Sequence, residues 1–171
     1  MDSRLAELKQ ALESATAGMS SEQLSWHPMD KWSAAEVLEH LYLTHTGTIK
    51  GFEKVMQSGK PLATRASIKH HLRKLVVLGF SHMPAGRVAP VNTRPKSTPA
   101  DKVLSEFGAK IAAMDAIIAQ CEERFGRSVP VLDHPILGPL SAAQWRKFHL
   151  VHGLHHVKQI LRLRASAGSK F

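Results

Sequence analysis

Apolar positions recur along the chain at alternating spacings of three and four, in four separate stretches. The first puts Leu5, Leu8, Leu12, Ala15 and Met19 on one stripe, the signature of an amphipathic helix. A short SSEQL turn follows, and Trp26, His27 and Pro28 break the pattern. The second stretch opens at Ser33-Ala34-Ala35-Glu36, where serine and glutamate stand at capping-box spacing and satisfy each other's orphan backbone donors. It predicts a helix to about Ser58, ended by Gly59 and Pro61.

The third stretch begins at Thr98-Pro99-Ala100-Asp101, which predicts a threonine N-cap, a proline at the first helical position and an early acid. Leu104, Phe107, Ile111, Met114, Ile118, Cys121 and Phe125 then form an unbroken seam. The fourth opens at Ser141-Ala142-Ala143-Gln144, again a capping-box spacing, and continues to about Ala165. Strand signals are thin, and the apolar run LVVL at 75–78 fits equally in a fifth, shorter helix over about residues 67–80. Residues 84–99, rich in proline and glycine, read as ordered loop. The expectation is an all-α fold in one domain, 1–171: a four-helix bundle whose second and third helices are joined by a long crossover over residues 59–98.

Composition narrows the class. At 171 residues and 43% hydrophobic, the chain can bury one core and does not resemble a disordered segment. The lone Cys121 excludes an intramolecular disulfide and a cysteine zinc cluster, and its place in the seam argues against a nucleophile. The opening MDSRLAELKQALESA lacks the apolar centre of a signal peptide. No run approaches the roughly 18–20 apolar residues of a membrane span. A soluble cytoplasmic protein with no membrane partner is expected.

The net charge of +9 changes that picture in one place only. No acidic residue occurs between Glu53 and Asp101, while that window holds Lys54, Lys60, Arg65, Lys69, Arg73, Lys74, Arg87, Arg94 and Lys96. Nine of the 23 basic side chains lie there, which leaves 14 to balance 14 acidic ones. The segment offers few aromatic side chains for base stacking and no reading motif, so nucleic acid is not the expected partner. Arg87, Arg94 and Lys96 read either as solvated loop residues or as a rim attracting an acidic small molecule.

Eleven histidines are the sharper signal. On a wheel of the fourth helix, His155 falls on the face with Gln144, Lys147, Lys158 and Arg162. His156 lies in the apolar arc and His152 at its border, so the 152/156 pair, four apart, sits one above the other. In the second helix His40 borders the apolar arc, in line with the small residues Ser33, Thr44, Gly47 and Gly51; His45 sits deeper in the arc's flank. Three imidazoles from two helices suit a divalent transition metal and leave a coordination position free. They read equally as hydrogen-bonded core histidines.

The strings KWSAAEVLEHLYLTH, beginning at Lys31, and HPILGPLSAAQWRKFHLVHGLHHVKQI, beginning at His134, resemble the bacterial DinB/YfiT-like superfamily. Its marks here are the tryptophan-serine before the helix carrying His40, the HP-x-x-G before the last helix, and the late H-x-x-H-H-x-x-Q. The resemblance implies a four-helix bundle holding a metal, zinc or nickel, on His40, His152 and His156. It also implies a supporting role beside the ligands for Gln159. Some members of that superfamily are thiol-dependent S-transferases or isomerases that use low-molecular-weight thiols.

The expected function is therefore a divalent-metal-binding protein with a small-molecule substrate, a thiol S-transferase in the first instance. His149 and His45 are candidate auxiliary acid–base groups. A metal-dependent hydrolase, or a binding module using the basic crossover for a polyanion, are the alternatives. An exposed helix face leaves room for a homodimer.

Overall fold

The computed structural model describes residues 1–84, 86 and 88–168. They are mostly helical, with six α-helices: α1 (Ser3–Thr16), α2 (Ser21–Ser25), α3 (Ala34–Ser58), α4 (Ile68–Lys74), α5 (Ala100–Phe125) and α6 (Ala142–Gly168). A short antiparallel hairpin, β1 (Pro130–His134) and β2 (Gly138–Ser141), separates α5 from α6.

The helix starts follow their local chemistry. Ser33 N–H donates to Glu36 Oε2 at 2.8 Å while Ser33 Oγ accepts from Glu36 N–H, and Ser141 with Gln144 repeats the exchange at α6. Gly59 ends α3 in the left-handed region at φ +68°. The SSEQL string, a turn by its sequence, closes into the one-turn helix α2 with its own capping box between Ser20 and Gln23.

One cap differs from expectation. Pro99, not Thr98, occupies the N-cap of α5, because Thr98 gives its backbone N–H and its hydroxyl to the buried carboxylate of Glu39. That exchange ties the end of the crossover to α3.

Four long helices share the core. α3 packs most extensively on α5 and α1 on α6, with α6 also meeting α3 and α5. Leu5, Leu8 and Leu12 of α1, Val37, Leu41 and Phe52 of α3, Ile111, Met114 and Ile118 of α5, and Ile160 of α6 are all buried. Cys121 is buried with them; burial, then the neighbouring Glu122 charge, raise its thiol pKa. Gly153, between the histidines of α6, faces α1 so closely that a Cβ would collide with the Leu8 side chain.

The connection between α5 and α6 is the hairpin that the sequence pattern did not reveal. Pro130 pairs with Ser141 and His134 with Gly138, and the register slips between Pro130 and Leu132. The Leu132 carbonyl there accepts from Trp145 Nε1. The crossover's first turns lie along β1, with Leu62 N–H donating to Val131 O and Thr64 to the Asp133 carboxylate. β1 therefore delivers Leu132, Asp133 and His134 beside α3.

The crossover itself contains α4, prolonged by a π-helical turn over Leu75–Gly79, and a 3-10 turn over Val91–Thr93 that packs on α3. No helix among the described residues is long and apolar enough to cross a membrane.

Candidate metal centre

Two turns of α3 and one of α6 bring His40, His152 and His156 together. The capping box at Ser33 fixes where α3 starts and so which face His40 occupies. The His152/His156 spacing stacks two imidazoles on α6. One nitrogen from each of the three rings lies within 4.8 Å of the others. His40 Nε2 is 3.3 Å and His156 Nε2 is 3.2 Å from His152 Nε2. Trp32 packs against the His40 ring and Phe148 stacks on that of His152.

The far nitrogens fix the tautomers. His40 Nδ1 lies 2.8 Å from Thr93 O, and His156 Nδ1 lies 3.0 Å from Gln159 Oε1. A carbonyl oxygen only accepts, so each Nδ1 carries the proton and each Nε2 presents a lone pair. Burial disfavours the charged form of all three rings. It lowers the His40 pKa, partly opposed by Thr93, and puts that of His152 well below 6.5. For His156, burial and then His40 bring the value to about 4.

The donor set fits a metal. Two Nε2 lone pairs flank His152 Nε2, which can carry one proton and serve only one of them. Nitrogens each roughly 2.0–2.1 Å from a tetrahedral ion stand about 3.3 Å apart, in agreement with the two separations from His152 Nε2. Oriented Nδ1–H groups are the usual second layer of such sites. Zinc and nickel both accept three imidazoles.

A cavity of about 280 Å³ borders the cluster at His40 and His152. Its walls include Thr44, Thr48, Asn92, His134, Trp145 and Phe148. The line of small residues on α3 faces this space: Thr44, Gly47 and Gly51 all contribute, and a Cβ at Gly47 would meet nothing within 4 Å. Gly51 instead admits the Leu132 side chain closely.

The remaining sequence candidates are placed differently. His45 and His149 are fully buried and pack on each other, with ring centroids 4.6 Å apart. His45 Nδ1 donates to Leu41 O, and His149 Nε2 is bonded to Thr48 Oγ1. Neither is among the side chains lining the cavity; Thr48 is. Arg94 is exposed, its Nε donating to Ala89 O, and Lys96 is exposed; neither lines the cavity, and Arg87 lies outside the described residues. The crossover contributes Met83, Pro90, Asn92 and Thr93 instead. His155 is partly exposed, with its ring against His156.

His134 is the neighbour that the histidine wheels did not single out, although it stands in the HP-x-x-G string. Its Nδ1 accepts from the backbone N–H of Ile136 and Leu137, which places its proton on Nε2. Burial lowers its pKa to about 4.

No curated protein and no solved structure matches the chain. Residues 1–162 match the family described as protein of unknown function (DUF1569). That span takes in His40, His152, His156 and Gln159 together, and the chain belongs to the DUF1569 family.

Proposed function

We propose that this chain is a metal-dependent enzyme of the DinB/YfiT type, its helices forming that superfamily's four-helix bundle around a divalent ion on His40, His152 and His156. The observation that carries the reading is the convergence of three buried imidazoles at the edge of a cavity. A divalent ion held there lowers the pKa of a bound thiol or water and so supplies a nucleophile near neutral pH.

The chain's own residues do the rest. Thr93 and Gln159 hold two of the rings with their Nε2 lone pairs inward. Thr44, Thr48 and Asn92 offer uncharged hydrogen-bonding groups, while Trp145 and Phe148 supply apolar walls that exclude water from a small electrophile. The superfamily resemblance favours a low-molecular-weight thiol as co-substrate, hence an S-transferase.

The test uses untagged protein, purified without chelator, for elemental analysis and for assays with an electrophile and a panel of small thiols. About one equivalent of zinc or nickel per chain is expected. Thiol-dependent turnover should disappear in a folded His156→Ala variant. Turnover of esters or amides without any thiol would replace the transferase with a hydrolase. Metal well below half an equivalent would overturn both.

A further inference from the structure

The crossover helix is amphipathic with its apolar side turned outward. Ile68, Leu72, Leu75 and Val76 recur at the spacing of one helical face, and they are 80%, 61%, 54% and 37% exposed. Phe80, just past the π-helical turn, is 72% exposed. The opposite side packs inward through His70, Lys74, Val77 and Leu78, with Lys74 Nζ donating to Pro139 O and the His70 ring against Gly138. A helix of a folded chain ordinarily buries its apolar stripe, so this one is shaped for something outside the chain.

Its surroundings say what that is. Lys69, Arg73 and Arg65 are exposed around the stripe, in a window from 54 to 100 that contains no carboxylate. A second copy of the same face would bring like charges together with no acid in either segment to answer them. Phosphates of a nucleic acid would meet the cations but leave the apolar stripe in water. Apolar side chains rimmed by lysine and arginine match a bilayer surface, where the former enter the acyl boundary and the latter meet anionic headgroups.

A second cavity, of about 210 Å³, opens along the edge of this helix. Leu72 and Val76 wall it on the outer side and Phe148 and His134 on the inner. It shares Met83, His134, Ile136 and Phe148 with the cavity beside the three histidines. Two members of the stripe, Leu72 and Val76, thus border an apolar cavity that adjoins the one beside the three histidines.

We infer that residues 68–80 form an interfacial helix that docks the protein on an anionic lipid surface. Such docking needs no membrane-spanning helix, and none is present among the described residues. Docking needs no metal, so its test is independent of the proposed enzyme.

The full chain is floated with vesicles of phosphatidylcholine alone and of phosphatidylcholine with one-third phosphatidylglycerol. Partition into the anionic vesicles should be stronger by about tenfold or more and should weaken as salt rises. Ile68→Ser/Leu72→Ser/Phe80→Ser, at exposed positions, should keep the circular dichroism spectrum and lose about tenfold or more of that partition. Arg65→Gln and Lys69→Gln should each weaken it about fivefold. Absence of vesicle binding, or binding untouched by the triple substitution, would overturn the inference. So would a dimer in sedimentation that the triple substitution dissolves while vesicles stay unbound, because a second copy would then own the stripe.

Discussion

His40 Nδ1 lies 2.8 Å from the carbonyl oxygen of Thr93, 53 residues further along the chain. A backbone oxygen of the crossover therefore decides which nitrogen of an α3 histidine faces α6. The 3-10 turn over Val91–Thr93 is part of the centre even though it contributes no ligand. Gln159 plays the matching role for His156 from within α6.

Gln159 is the more accessible of these two supports to substitution. Gln159→Ala removes the acceptor of the His156 Nδ1 proton and is expected to weaken metal affinity about 10- to 100-fold. Gln159→Glu keeps an acceptor oxygen and should restore most of it. Competition against a chromophoric chelator measures both. Equal affinities for the wild type and the alanine variant would show that Gln159 does not orient the ring.

The three histidines of HGLHH should separate cleanly. His152→Ala removes the central nitrogen of the cluster and should abolish stoichiometric metal binding. His155→Ala should leave it intact, because the His155 ring packs beside His156 outside the trio. Metal content of the purified variants decides the matter, and loss in His155→Ala would move the centre.

That partition was legible in the sequence because it depends only on helical geometry, and a wheel fixes geometry within one helix. The caps at Ser33 and Ser141 were legible for the same reason: their partners lie three residues away. What the sequence concealed depends on partners far along the chain. The hairpin is short and contains Pro130 and Pro139, so neither strand shows an alternating pattern. Thr98 has the composition of an N-cap, yet Glu39 claims it. Periodicity predicts a helix over 67–80 but cannot say which side faces the core. Leu161, an apolar residue next to the buried Ile160 on α6, is likewise exposed.

Arg146 shows the same limit in its charge. No acidic residue follows Asp133 in the sequence, whereas the fold buries Arg146 with Nε 2.9 Å from Asp115 Oδ1 and its Nη1 on Glu122. Asp115 also accepts from the Asp2 backbone N–H at 2.7 Å, so the network joins α1, α5 and α6. Arg146→Met strands two carboxylates and is expected to cost about 3–5 kcal/mol in urea unfolding. Adding Asp115→Asn should recover part of the loss by removing one uncompensated charge. A cost below about 1 kcal/mol would mean that water screens the network as it does an exposed pair.

Acid should destabilise the fold through His134, whose pKa burial lowers from 6.5 to about 4. The folded value lies below the unfolded one, so between the two the unfolded chain holds the extra proton. Stability from this residue is complete above about pH 6.5, falls as the pH drops toward 4, and levels off below that. The full drop is on the order of 3 kcal/mol. His45, also at about 4 through burial, adds a loss of the same sign in the same window. Urea unfolding of chelator-treated protein, in steps from neutral pH to about pH 4, reads the combined slope. His134→Asn isolates one contribution, because Asn Oδ1 can replace Nδ1 as acceptor for the Ile136 and Leu137 N–H groups without titrating. The variant's stability should lose up to one fewer proton's worth of pH dependence than the wild type across that window. Parallel curves would show that His134 already titrates as if unfolded, and would place water against its ring.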